Sequence, residues 1–214
     1  MAVNEQGYGD KQPLLVYRMI ANRYRPPAVM LILFGILGQI PRFVPDLPLA
    51  GIFNAELVST IGFVGIALGF ALLAASLLEK GRGWVQCQPD YLMINAPTGR
   101  VAVAYQRINT LKPVSVMDVF PPKSQKGRNR SIIKPLVGKK ALEIVLSEFP
   151  LPDKQMRKRL HHFMFSTRDI GFVLIVPQPR ELGLEVNAAI DRMRHLENER
   201  TSGYVSPMDR SFTR

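Results

Sequence analysis

Residues 57–78 read LVSTIGFVGIALGFALLAASLL, an unbroken run without a charge. A helix needs about 20 apolar residues to cross a hydrocarbon core of roughly 30 Å. A soluble helix rarely needs to be apolar on every face. The run therefore predicts a transmembrane helix. A weaker stretch, residues 28–44, precedes it. Its uncharged core, AVMLILFGILGQI, is shorter than a full span and ends at Pro41 and Arg42. Pro26 and Pro27 at its start suit a first helical turn, where N–H groups have no partner anyway. With these prolines and Phe43 and Val44 it reads as a second span, with a re-entrant or interfacial segment as the alternative. The stretch starts too far from the N-terminus for a cleavable leader, and no small-residue cleavage site follows it.

Two spans joined by the short loop 41–56, which holds Pro41, Pro45, Pro48 and Gly51, make a helical hairpin. Gly62, Gly65 and Gly69 lie in the later span, with Gly65 and Gly69 spaced as a small-xxx-small pair. Such residues let helix backbones approach closely, within the hairpin or against another membrane protein. Lys11, Arg18, Arg23 and Arg25 precede the spans, Lys80 and Arg82 follow them, and only Arg42 lies between. The positive-inside rule then places both termini in the cytoplasm of a multi-pass inner-membrane protein.

The net charge is +11, yet 47% of residues are hydrophobic. The two are segregated. From residue 79 onward there are 23 Lys+Arg against 13 Asp+Glu, a balance of +10. This part reads as strands at 84–88, 91–96, 101–105, 108–117, 141–146, 163–166 and 172–176. Pro97-Thr98-Gly99 supplies a hairpin turn. Successive strands without intervening helices predict antiparallel pairing. A late helix follows Pro177, with Leu182, Val186, Ala189, Ile190 and Met193 at helical spacing, read as a core-facing stripe. Gly81-Arg82-Gly83 reads as a hinge between span and domain.

This order resembles the bacterial pleckstrin-homology-like domains that follow one or two membrane helices. The resemblance rests on YLMINAPTGRVAVAYQRINTLKPV, with Arg107 and Ile108 leading into the next strand, and on GFVLIVPQPRELGLEVNAAIDRM at the end. It implies a membrane α-helical hairpin plus a mainly-β PH-like barrel of antiparallel strands capped by one C-terminal helix. The expected organisation is an interfacial arm (1–25), the hairpin (26–78), the PH-like domain (84–197) and a tail (198–214). Two polar insertions depart from a compact version, at 118–140 and 149–161.

The first insertion carries Lys123, Lys126, Arg128, Arg130, Lys134, Lys139 and Lys140 and no acid between 123 and 140. The second carries Lys154, Arg157, Lys158 and Arg159. The basic cluster has several readings: contact with anionic membrane lipids, each Lys or Arg contributing about 1 kcal/mol near such a surface; docking to an acidic partner; or a solvated loop. Nucleic acid is disfavoured, because the stretch has no aromatic residue to stack bases. Ile132 and Ile133 either dip into the bilayer or pack inside the domain.

Phosphate-cradling, dinucleotide-binding, zinc-protease and nucleophile-elbow motifs are absent. The lone Cys87, with His161, His162 and His195, offers no metal spacing. No cofactor, metal or catalysis is expected. The expected role is a membrane-anchored scaffold whose domain docks on a protein partner, as an accessory subunit of a membrane complex. The alternative is a regulator that senses anionic headgroups.

Overall fold

The structure, a computed structural model, describes residues 9–40 and 55–202. The chain enters through a two-residue strand, β1 (Gln12–Pro13), and turns at Leu14 into helix α1 (Leu15–Leu37). Helix α2 (Ala55–Arg82) returns alongside it. Strands β2 (Trp84–Cys87), β3 (Tyr91–Ala96) and β4 (Gly99–Ala104) follow. With β1 they form an antiparallel sheet of order β1-β2-β3-β4. A 3-10 turn, Tyr105–Arg107, leads to β5 (Ile108–Ser115). β5, β6 (Lys140–Leu146) and β7 (Gly171–Leu174) form a second antiparallel sheet. Between β5 and β7 lie three short helices, α3 (Val116–Val119), α4 (Gly127–Ile133) and α5 (Asp153–Arg159). Helix α6 (Pro179–Ser202) closes the domain.

The hairpin is therefore an insertion between two neighbouring strands. Pro13 pairs with Trp84 and Gln12 with Val85. The domain expected over 84–197 includes the arm as well. Leu14 and Val16 are fully buried, and both belong to the core that contains Val85, Ile94, Phe163 and Ile175. The Leu14 N–H donates to the Gly83 carbonyl and the Leu15 N–H to the Ile175 carbonyl.

Several expectations change here. The two sheets do not close into a barrel. The 3-10 turn at Tyr105–Arg107 diverts the chain from β4 into the other sheet, and Leu15 N–H to Ile175 makes one backbone link at the opposite corner. Residues 163–166 are not a strand. Phe163, Met164 and Phe165 are all buried in succession, which a pleated strand facing one core cannot achieve, and His162–Met164 forms a 3-10 turn. Phe165 keeps a single bridge to Phe172. Pro26 and Pro27 lie inside α1 rather than at its start, because Leu14–Tyr17 already anchor the helix in the domain core. Gly83 is no hinge: α2 runs through Arg82, and a Cβ on Gly83 would lie 2.7 Å from the Tyr17 ring. The closing helix runs to Ser202, into the expected tail 198–214, while the rest of that tail, the loop 41–54 and the far end of the stretch 28–44 lie outside the described residues.

Among the described residues, α2 is the one helix long and apolar enough to cross a membrane, and only 17% of its apolar window is buried. Leu57, Ile61, Phe63, Val64, Leu68, Phe70, Leu77 and Leu78 are each more than half exposed. A helix serving as a soluble core would hide them.

Candidate functional site

The register of the first sheet sets one end of the domain. Pro13, Trp84, Asn95 and Arg100 are successive cross-strand partners. Beyond that row α1 leaves, α2 arrives and the β3–β4 turn at Pro97-Thr98 sits. Asn95 ties the row together: its amide donates to the Arg82 carbonyl at 2.5 Å and its Oδ1 accepts from Arg100 Nε at 3.0 Å. Lys11 Nζ lies 5.1 Å from the Trp84 ring centroid. This end, from which the helical stem emerges, is the stem face.

Both insertions reach it. Helix α4 packs against α1, where Arg23 Nη1 donates to Ser131 Oγ at 2.6 Å. Ile132, Ile133 and Leu136 point into the core, at 2%, 0% and 0% exposure. Of the two readings for Ile132 and Ile133, packing inside the domain is the one found. Their burial fixes the basic helix against the stem and leaves Lys126, Arg130 and Lys134 at the surface. The side chain of Arg128 lies outside the described set. Lys123 sits in the turn after α3, and Lys139 and Lys140 lead into β6, so these three exposed residues flank the helix rather than share it.

Helix α5 reaches the same face from the other side. Thr98 Oγ1 donates to the Arg159 carbonyl at 2.5 Å, and Arg159 Nη1 donates to the Arg100 carbonyl at 3.2 Å. The His161 N–H donates to the Tyr17 hydroxyl at 3.1 Å. Arg157 pairs with Asp153 at 2.8 Å and lies over the Phe165 ring. Sequence spacing gave no sign that two basic segments, separated by the whole of β6, flank one stem. The signal lay in the apolar residues between the charges, Ile132, Ile133, Met156 and Leu160, which are all buried.

Within the stem the two helices meet through glycine. A Cβ on Gly35 would lie 2.6 Å from the Gly62 carbonyl oxygen and 2.6 Å from Ile66 Cγ1. Gly62 faces Gly35 and Gly38, Gly65 faces Leu31 and Gly35, and Gly69 faces Ala28 and Ile32. Gly62, Gly65 and Gly69 thus line the contact inside the hairpin. Polar clasps close both ends. Gln39 Nε2 donates to the Ser59 carbonyl and Ser59 Oγ returns a bond to Gln39 Oε1, both at 2.8 Å. At the other end buried Ser76 donates to the Ala21 carbonyl at 2.7 Å.

The end of the first sheet away from the stem gathers Asp10, Glu181, Glu185 and Arg192 around Cys87 and Tyr105. Cys87, 5% exposed, sits with Tyr105 and with Glu185 from α6. Burial pushes the Cys87 thiol up to about 12 and raises the Tyr105 phenol further. Burial also raises the Glu185 carboxyl, helped by the charge of Asp10. Thiol and phenol are thus held protonated, the inert state for nucleophilic chemistry. His161 and His162 stack on each other at the stem face, with ring centroids 4.2 Å apart. Among the described residues no group of three His, Cys, Asp or Glu side chains is placed to hold a metal ion. No protein-family model, curated protein or solved structure matches this chain.

Proposed function

We propose that the chain is a non-enzymatic, membrane-anchored binding module whose β domain rests its basic stem face on an anionic leaflet. The observation that carries this reading is the convergence of α4 and α5 on the end of the sheet where the helices leave. A domain tethered by that end must face the lipid headgroups with it. Each Lys or Arg there contributes about 1 kcal/mol, so a handful hold the domain flat.

Parity supports a two-span anchor. β1 and β2 are hydrogen-bonded neighbours, so the segment between them starts and ends on one side of any membrane. If α2 crosses, the chain must cross once more before it, and α1 is the described helix available to do so. The basic face then points to the cytoplasm by the positive-inside rule, with β1 and α6 on the same side. Four plus three antiparallel strands with a closing C-terminal helix support a pleckstrin-homology-like architecture, with its first strand supplied from before the hairpin.

The test is hydrogen exchange on the full chain in nanodiscs. Residues 123–140 and 153–159 should exchange more slowly in anionic than in zwitterionic discs, and added salt should erase the difference. Equal exchange in both discs would overturn the reading.

A scaffold role has its own support. The groove between β5 and α6, lined by Tyr105, Ile108, Ile190 and Met193, lies beside the open edge of the second sheet. An extended partner segment adds to such an edge by backbone hydrogen bonds. Met193→Arg should then release a co-purifying partner without altering exchange at the stem face. Retention of that partner would remove the groove from consideration.

A further inference from the structure

The contacts along the stem fix the relative height of its helices. Ala21 meets Ser76, Ala28 meets Gly69, Gly35 meets Gly62 and Gln39 meets Ser59. In that register Arg25 is level with Leu72, Arg23 with Ala74, and Arg18 with Glu79. After Glu56 the apolar surface of α2 thus continues to Leu78 before the next charge, Glu79. On α1 the charges begin at Arg25, about two helical turns sooner in the same register. At 1.5 Å per residue the step is about 10 Å.

At one height, then, the two flanks of the stem are chemically opposed. Opposite residues 22–25, α2 carries Leu72, Leu73 and the exposed Ala74 and Ala75; Leu77 and Leu78, 55% and 56% exposed, lie just beyond, level with Ile20 and Met19. The α1 flank presents Asn22, Arg23, Tyr24 and Arg25, with α4 packed beside it through the Arg23–Ser131 bond. A flat hydrocarbon boundary would either strand the α2 leucines in water or bury the α1 arginines in oil. The length of α1 agrees. The apolar stretch from Ala28 to Ile40, α1 together with the turn that follows it, covers at most about 20 Å at helical rise, against roughly 30 Å for a normal core. The deficit again is about 10 Å. Tilt does not resolve it. Packed helices lie about 8–10 Å apart, so a step of about 10 Å across one spacing needs about 45°, well beyond the usual tilt of about 20°.

We infer that the α1–α4 flank binds anionic phospholipid headgroups about 10 Å deeper than the α2 flank, and so thins the leaflet on one side of the stem. Arg23, Arg25 and Arg130 are the phosphate ligands. Arg23 Nη1 donates to Ser131 Oγ, which holds the guanidinium on the α4 side of the stem. Pro26 and Pro27 fit the same place: they remove the N–H partners of the Asn22 and Arg23 carbonyls, which only a hydrated headgroup layer satisfies cheaply.

The inference rests on the membrane reading above, and its test is separable from that one. Nitroxides are placed singly on the full chain as Asn22→Cys or Ala75→Cys, two exposed positions at one height on opposite flanks. The discs contain phosphatidylglycerol and phosphatidylcholine. The label at 75 should collide mainly with oxygen, and the label at 22 mainly with an aqueous nickel chelate. Matching profiles at 22 and 75 would overturn the oblique boundary even if the stem face still shows anionic protection. In a second arm, the triple variant Arg23→Gln, Arg25→Gln, Arg130→Gln should retain roughly tenfold less phosphatidylglycerol relative to phosphatidylcholine through purification. An unchanged lipid ratio, with Trp84 emission showing an intact fold, would overturn the headgroup site.

Discussion

Leu14→Ala tests whether the arm before the hairpin belongs to the domain after it. Leu14 is fully buried in the shared core, although the entire hairpin separates it in sequence from its backbone partner Gly83. That N–H bond to Gly83 survives the change, so the variant isolates the side chain. Removing a buried leucine down to alanine costs about 2–5 kcal/mol, through lost transfer energy and the cavity left behind. For a domain of about 130 residues, a loss of about 3 kcal/mol corresponds to a fall in Tm of about 10 °C. The assay is thermal unfolding of the full chain in mild detergent, followed by emission of Trp84, the only tryptophan. Leu33→Ala, on the outer face of α1 and 51% exposed, is the control and should leave Tm within about 2 °C. If Leu14→Ala behaves like Leu33→Ala, the arm is a separate segment and the insertion topology is wrong.

Gly35→Val should spread the hairpin, since even a Cβ would lie 2.6 Å from the Gly62 backbone. A disulfide engineered between positions 39 and 59 should then form more slowly than in the parent, and an unchanged rate would refute the close packing. Glu185 has a raised carboxyl pKa, so the folded state holds its proton more tightly than the unfolded chain. That contribution is complete below the ordinary value of 4.5 and is lost as pH rises toward the raised one. Glu185→Gln should remove this downward slope from the stability profile, and a slope equal to the parent's would place the titration elsewhere. Native Cys87 should resist alkylation at about pH 8 and react readily after unfolding, because it is buried and its thiol is pushed up to about 12. Labelling at the rate of a free thiol would contradict that burial.

Periodic features were readable from residues alone. β3 and β4 alternate and turn at Pro97-Thr98, and the α6 stripe of Leu182, Val186 and Ala189 is buried. β1 was not readable, because two residues carry no period and one of them is proline. Its existence depends on a partner, β2, that lies beyond the whole hairpin. The start of α1 was misplaced because proline at a helix start is a strong local signal, whereas tertiary burial of Leu14–Tyr17 outweighed it. The basic residues were visible as a charge run. Their position was not, since it follows from Ile132 and Ile133 entering the core, a contact that spacing alone left open beside insertion into the bilayer. The relative height of the two stem helices depends on their mutual register and has no trace in either helix read by itself.

A strand made first and completed only after residue 83 constrains how this chain can be born. During synthesis β1 emerges with no partner, and β2 follows only when the whole hairpin has left the ribosome. Joining them through an unstructured segment of that length would cost about 4 kcal/mol in loop closure. A hairpin already zipped from Gln39–Ser59 to Ala21–Ser76 removes that cost by delivering Leu14 beside Gly83. Assembly of the stem thus becomes a checkpoint for the domain. A chain whose helices fail to pair leaves its first sheet one strand short and its core open, and the β domain reports on whether the stem was built.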